Sequence, residues 1–175
     1  MHTSRHFCQV YGADEAFLEM LEPYVADGLL RGEGVIVIAT APHRASLVHR
    51  LEVFGIDVRC AVDEDRFIVL DAEAALARFM VNGWPDAERF KQMSAALLAR
   101  ARGEGRPVRA FGEMVALLWA RGHYAATVRL EHLWNQLLET ENLPLLCAYP
   151  RDGFGKGPSD SIMEIERAHS KVIAA

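Results

Sequence analysis

Arg31-Gly-Glu-Gly-Val-Ile-Val-Ile-Ala-Thr40 is the stretch whose reading decides the fold. It reads as the close of a helix, a tight turn and then a strand. Val35 to Ala39 is a short apolar run rich in β-branched side chains, with no polar alternation. Such a run fits a strand covered on both faces, as in a parallel sheet. Before it, Phe17, Leu18, Leu21, Tyr24, Val25 and Leu29 recur at helical spacing; after it, Leu47, Val48, Leu51 and Phe54 do the same. The centre of the chain is therefore a helix–strand–helix unit.

The same alternation continues outward. His6-Phe-Cys-Gln-Val-Tyr11 predicts a first strand, and Asp14 is placed to cap the helix that follows. Gly28 and Gly32 are expected to punctuate the end of that helix. Pro42 to Phe54 predicts a second helix closed by Gly55, and Ile56 to Val62 a short edge strand. Arg66 to Asp71 predicts a buried strand, followed by an Ala-rich helix from Ala72 to Met80 that breaks near Asn82-Gly-Trp-Pro85. Asp86 caps the next helix, Val108 to Gly112 is a strand, and Glu113 to Arg121 is a helix. Tyr124 to Glu139 is a long helix with Leu130, Leu133, Trp134 and Leu137 as its stripe. Leu143 to Tyr149 is the last strong strand, Arg151 to Ser159 a Gly-rich loop, and Ile162 to Ser170 a terminal helix. Strands alternating with helices predict a three-layer α/β/α architecture around a mostly parallel sheet, with right-handed crossovers. One domain over residues 1–175 is expected, because no repeat, low-complexity tract or linker interrupts the pattern.

Composition narrows the function classes. Of 175 residues, 51% are apolar and 25% charged, which is ordinary for a globular chain. The net charge is −5 and no basic run exceeds two residues, which argues against an electrostatically driven nucleic-acid surface. No apolar run approaches the ~20 residues that span a bilayer. Met-His-Thr-Ser-Arg-His at the amino terminus lacks a signal-peptide layout, so the cytoplasm is the default expectation. Cys8, Cys60 and Cys147 show no C-x-x-C spacing, which fits reduced thiols better than a disulfide framework or zinc site. His6 and Cys8 share one face of a strand, but two candidate ligands do not make a metal site.

In open α/β sheets ligands bind beyond the carboxyl ends of the strands. Tyr11-Gly12, Thr40-Ala41, Asp71, Gly112-Glu113 and Tyr149-Pro-Arg151 stand at those ends. A phosphate loop needs several glycines followed by Lys and Ser/Thr. Tyr-Gly-Ala-Asp-Glu-Ala-Phe after the first strand has one glycine, no lysine and two acids, and Gly153-Phe-Gly-Lys-Gly157 lacks the spacing. Asp71 resembles a magnesium-holding acid superficially, but a helix N-cap is the simpler role. Glu113 at the next strand end carries functional and structural readings evenly. Arg109, Glu113, Glu131 and Asn135 are expected to meet in one polar cluster at that strand end; the plainer alternative is an Arg–Glu network pinning the long helix to the sheet. No Gly-x-Ser-x-Gly elbow supports nucleophilic catalysis. His43, His49, His123 and His132 fall on helices or caps, where solvated or structural roles are the norm. Tyr11, Trp84, Trp119, Trp134 and Tyr149 read as core, with a pocket lining as the sharper alternative.

Taken in order, His6–Tyr11, Gly28-Leu-Leu-Arg-Gly-Glu33 running into Val35–Thr40, Phe67-Ile-Val-Leu-Asp71-Ala, Val108-Arg-Ala-Phe-Gly-Glu113-Met, Leu130-Glu-His-Leu-Trp-Asn135, Leu145-Leu-Cys-Ala-Tyr149 and His169-Ser-Lys-Val-Ile173 form a specific set. The chain resembles the MEDS domain (methanogen/methylotroph, DcmR-type sensory domain) over nearly its whole length. The resemblance implies a RecA/KaiC-like fold that has lost its ATPase motifs, in agreement with the missing lysine. It implies a non-catalytic sensory role beside or fused to a histidine kinase, an anti-sigma system or a transcription regulator, and sensing of small hydrocarbon derivatives. No kinase, ATPase or DNA-binding segment accompanies the domain in this sequence.

The expected ligand-binding residues are Tyr11, Arg109, Glu113, Glu131, Asn135 and Tyr149. No catalytic residue, metal ligand or cofactor is expected, and neither membrane nor nucleic acid is an expected partner. Two alternatives stand beside this reading: a degenerate nucleotide binder, and a self-associating module that forms a homo-oligomer.

Overall fold

The computed structural model describes residues 5–174. Residues 1–4, part of the stretch read above for a signal peptide, lie outside them. The first half of the chain runs β1 (His6–Tyr11), α1 (Asp14–Leu30), β2 (Gly34–Ala39), α2 (Ala41–Phe54), α3 (Val58–Asp63), β3 (Phe67–Asp71) and α4 (Ala72–Phe79). It continues through a hairpin of β4 (Met80–Val81) and β5 (Trp84–Pro85), then α5 (Ala87–Arg102), β6 (Val108–Gly112), α6 (Met114–Ala120) and α7 (Tyr124–Thr140). It ends with β7 (Leu145–Pro150), α8 (Arg151–Phe154), α9 (Ser159–Ala168) and β8 (Lys171–Ala174).

Six strands form one sheet in the order β3-β2-β6-β7-β1-β8, and every neighbouring pair is parallel. The sheet lies between two helical layers, as the alternating pattern predicted. Val35, Val37 and Ala39 face α1, α2 and α3, where they pack with Phe17, Leu21, Leu47 and Leu51. Ile36 and Ile38 face the opposite layer, among Leu76, Phe90, Leu97, Met114 and Leu130. All six residues of β2 are buried, which is why its sequence shows no alternation.

Several local expectations are corrected. Ile56–Val62 is not an edge strand: Asp57 accepts a hydrogen bond from the Cys60 N–H (2.9 Å) and starts the helix α3, which buries Val58 and Ala61 at helical spacing. Asp14 does not cap α1; Ala13 is the N-cap residue and Asp14 sits in the first turn. The loop predicted at Arg151–Ser159 contains the short helix α8. The terminal helix begins earlier and ends earlier than predicted, and the chain then adds the edge strand β8 beside β1. Asp71 is an N-cap, accepting from the Ala74 N–H at 2.9 Å, and Asp86 does the same for α5.

Gly28 lies inside α1 rather than at its end; the left-handed turn residue is Gly32, with φ 74°. Gly28 is needed for room. Arg109 on β6 passes directly over it, with Nε 2.6 Å from Glu33 Oε2 and Nη2 2.9 Å from Glu33 Oε1. Its Nη1 donates to the Tyr24 carbonyl (2.8 Å), Nη2 also reaches Asp27, and the guanidinium lies over the Tyr24 ring. Tyr24 in turn donates to the Ala110 and Pro144 carbonyls. This cluster ties α1 to the sheet.

A Cβ at position 28 would stand 2.7 Å from Arg109 Nε and 2.8 Å from both Arg109 Cδ and Val35 Cγ2. In an open helix Gly→Ala gains about 1 kcal/mol. Here Gly28→Ala is expected to lose about 1–3 kcal/mol by overpacking against a pinned guanidinium. Urea denaturation measures it, and a gain in stability would contradict the packing described.

Candidate functional site

The first polar constellation stands where sheet topology places ligand sites, at the carboxyl ends of β1, β2 and β6. Glu113 follows β6 directly, and its backbone N–H bonds to the Ile38 carbonyl (2.9 Å), which fixes it beside the end of β2. Its carboxylate accepts from the Thr40 N–H (3.0 Å) and the Thr40 hydroxyl (3.3 Å). Thr40 is the N-cap residue of α2 and supplies no side-chain cap of its own. Glu113 thus places an acid at the amino end of α2, where the helix dipole favours it. In the first turn of α2, His43 Nδ1 lies 2.7 Å from Glu113 Oε1, and its Nε2 lies 3.3 Å from Asp14 Oδ1. The His43 ring packs on Phe17 and stands edge-on to Tyr11.

Burial of His43 opposes a charged ring, but the hydrogen bond and charge of Glu113, with Asp14, outweigh it and raise its pKa above the usual imidazole value. The Tyr11 hydroxyl is pushed up by burial and by the charges of Glu113 and Asp14.

The second constellation is buried between the sheet and α7, α9. Glu131 on α7 has no solvent exposure. Tyr149 on β7 donates its hydroxyl to Glu131 Oε1, and His6 Nε2 lies 3.3 Å from Oε2. His169, just after α9, places Nε2 at 3.5 Å from the same oxygen. Cys147 Sγ lies 3.9 Å from Oε2 and 3.3 Å from His6 Nε2. Asn135, one turn along α7, accepts at 2.9 Å from the His6 ring and donates to the Ala168 carbonyl (2.8 Å). The Cys147 thiol and Tyr149 hydroxyl are both pushed well up by burial and by the Glu131 charge. Ligating atoms of His6, Glu131, Cys147 and His169 all fall within 4.8 Å of one another. A surface cleft of about 390 Å³, lined by Asn135, Leu138, Arg167, Ala168, His169 and Ser170, lies alongside.

The six residues expected at one ligand site therefore separate. Tyr11 and Glu113 stand together at the carboxyl edge. Glu131, Asn135 and Tyr149 belong to the buried group. Arg109 joins neither: it is the second residue of β6, at the opposite end of that strand, with its donors spent on Glu33, Asp27 and Tyr24. The single Arg109–Glu113–Glu131–Asn135 cluster does not form, because Arg109 and Glu113 lie at opposite ends of β6 and Glu131 faces β7. His6, His43, Cys147 and His169 were not among the expected site residues. His6 and His169 are separated by nearly the whole chain, so no local spacing marks them as partners. His43 had one signal, a helix beginning directly after a buried strand.

No helix among the described residues is long and apolar enough to cross a membrane. Residues 5–170 match a family model described as MEDS: MEthanogen/methylotroph, DcmR Sensory domain. No curated protein matches the chain.

Because the folded pKa of His43 is raised, its pairing stabilises the fold fully below the ordinary imidazole pKa of ~6.5 and loses that contribution as pH rises through the raised value. The stability difference between wild type and His43→Gln is expected to shrink over that rise in denaturation curves taken across pH. Glu113→Ala is expected to cost about 1–3 kcal/mol, because it strands the Thr40 N–H and the His43 ring, and Glu113→Gln less. A pH-independent difference for His43→Gln would count against the pairing.

Proposed function

The chain belongs to the MEDS sensory-domain family, and we propose that it works as a non-catalytic sensory module whose ligand face is the carboxyl edge of the sheet. The observation that carries this reading is the Glu113–His43–Asp14 relay. Glu113 and the inner side of His43 are buried, while Asp14 is 75% exposed. A solvent-facing arm of an ion pair contributes little. An incoming carboxylate or hydroxyl therefore competes with Asp14 for the His43 Nε2–H at small cost, with the ring still held from behind by Glu113. The ligand class is a small oxygen-bearing molecule; Phe17 and Tyr11 are buried behind the His43 ring and fix its orientation. Binding that distinguishes two arrangements of α1 and α2 shifts the equilibrium read by the output partner. That partner is a histidine kinase, an anti-sigma system or a transcription regulator, in cis or in trans.

Nucleotide binding is the weaker alternative. α1 opens with Asp14 and Glu15, so acids occupy the helix amino terminus where a phosphate would sit. The RecA/KaiC-like ancestry implied by the family fits a scaffold whose phosphate loop has been replaced by this relay.

A thermal-shift panel of short-chain carboxylates, alcohols and their halogenated derivatives, run with wild type and His43→Gln, tests the reading. The expected result is stabilisation by at least one class that disappears in His43→Gln. Equilibrium dialysis with labelled ATP and magnesium runs alongside. Retention of ATP, or a ligand shift that survives His43→Gln, would move the site elsewhere.

A further inference from the structure

The geometry points to a buried four-ligand site for a divalent transition-metal ion of the zinc class, formed by His6, Glu131, Cys147 and His169. It uses none of the residues of the carboxyl-edge relay and stands independently of it.

The hydrogen bonds around the two imidazoles set their tautomers. His6 Nδ1 is surrounded by acceptors, Asn135 Oδ1 at 2.9 Å and the Ala168 carbonyl at 3.2 Å, so it carries the proton. His169 Nδ1 lies 2.6 Å from the Ile165 carbonyl and carries its proton too. Each neutral ring then turns an Nε2 lone pair inward, toward the Glu131 carboxylate and the Cys147 sulfur. His169 Nε2 is buried without a hydrogen-bond partner, 3.5 Å from Glu131 Oε2. The Cys147 thiol offers one proton, to His6 Nε2 at 3.3 Å or Glu131 Oε2 at 3.9 Å, so His169 Nε2 and one further acceptor stay unanswered in a dry core, and a cation between them would satisfy both. Protonating both rings is a poor substitute, because their centroids stand 3.9 Å apart and two imidazolium charges would repel.

The spacing also fits. Zinc bonds to nitrogen, oxygen and sulfur place tetrahedral ligands about 3.3–3.6 Å apart. His6 Nε2 stands 3.3 Å from Cys147 Sγ and 3.3 Å from Glu131 Oε2, and His169 Nε2 3.5 Å from Oε2; the wider separations, 3.9 Å between Cys147 Sγ and Oε2 and up to 4.8 Å within the set, close by side-chain rotation around an ion. The surrounding groups are those that orient metal ligands: carbonyl oxygens receive both Nδ1–H groups, and the Tyr149 hydroxyl occupies Glu131 Oε1, leaving Oε2 free to ligate. On binding, Cys147 gives its proton to solvent and its sulfur bonds the ion. The two positive charges are then balanced by one thiolate and one carboxylate, so the buried site is neutral. Four protein ligands leave no open position for substrate, so the ion holds structure. It joins β1, α7, β7 and the link between α9 and β8, and thereby locks the carboxyl-terminal segment onto the sheet.

Full-length protein stripped with a chelator and reloaded with cobalt(II) tests the site. A Cys60→Ser background removes the partly exposed thiol. One tightly held ion per chain, a thiolate-to-cobalt charge-transfer band and tetrahedral d–d bands are expected, with zinc displacing the cobalt and raising the melting temperature. Cys147→Ser is expected to abolish the charge-transfer band, and Asn135→Ala to weaken affinity about 10–100-fold through loss of ligand orientation. Circular dichroism confirms that each variant is folded. Should wild type retain no ion and show no band, or should the band persist in Cys147→Ser, the site as assigned is overturned and the four side chains are a hydrogen-bonded core network.

Discussion

A carboxylate with no access to water must be met by protein groups on every side, and Glu131 is met by elements from both ends of the chain. Desolvating such a group costs several kcal/mol unless hydrogen bonds and opposite charge offset it. Tyr149 on the seventh strand donates to one of its oxygens, while Cys147 of that strand, His6 of the first and His169 of the link before the last surround the other. This requirement ties the amino-terminal strand, the long helix α7 and the carboxyl-terminal segment into one unit. Beside it, the Ser170 N–H and hydroxyl both bond to the His6 carbonyl and lead the chain into β8 at the sheet edge beside β1.

The parallel sheet imposes a second requirement, and the carboxyl-edge relay follows from it. A parallel strand cannot be joined to its neighbour by a tight turn, so each is followed by a helix whose amino end lies near the strand ends. Glu113 leaves β6 and caps α2 through Thr40, across the sheet rather than along the chain. That leaves His43 held on its inner side and answered on its outer side only by an exposed acid. The two polar groups thus differ in kind: one is enclosed and locks elements together, the other opens to solvent.

Periodicity carried the fold well where burial and sequence pattern coincide. β2 is apolar throughout because both of its faces are covered, and α5 and α7 show clean helical stripes because only one face is. Ile56–Val62 misled because its apolar residues alternate, while the Asp57 cap that commits it to a helix is a single hydrogen bond. β8 escaped because Lys171-Val-Ile-Ala174 is only four residues long and follows a helix without a turn signal; its Val172 and Ile173 stay exposed at the sheet edge. Glu113 and Tyr11 were legible as strand-end residues. Arg109 does not join Glu113 because it stands at the amino end of β6, where Glu33, Asp27 and the Tyr24 carbonyl take its donors; those partners lie about 80 residues earlier in the chain, beyond any local pattern.

The sequence by itself determined the α/β alternation, the two-faced central strand, the absence of a phosphate loop and the family. Those are properties of spacing and residue type, readable within a window of a few turns. Only the tertiary structure decided which polar side chains share a site. His6 and His169 meet because β8 closes the sheet beside β1, and Glu131 reaches Cys147 because α7 lies across β7. Such meetings depend on strand order and helix placement, which set distances in space that separation along the chain does not encode.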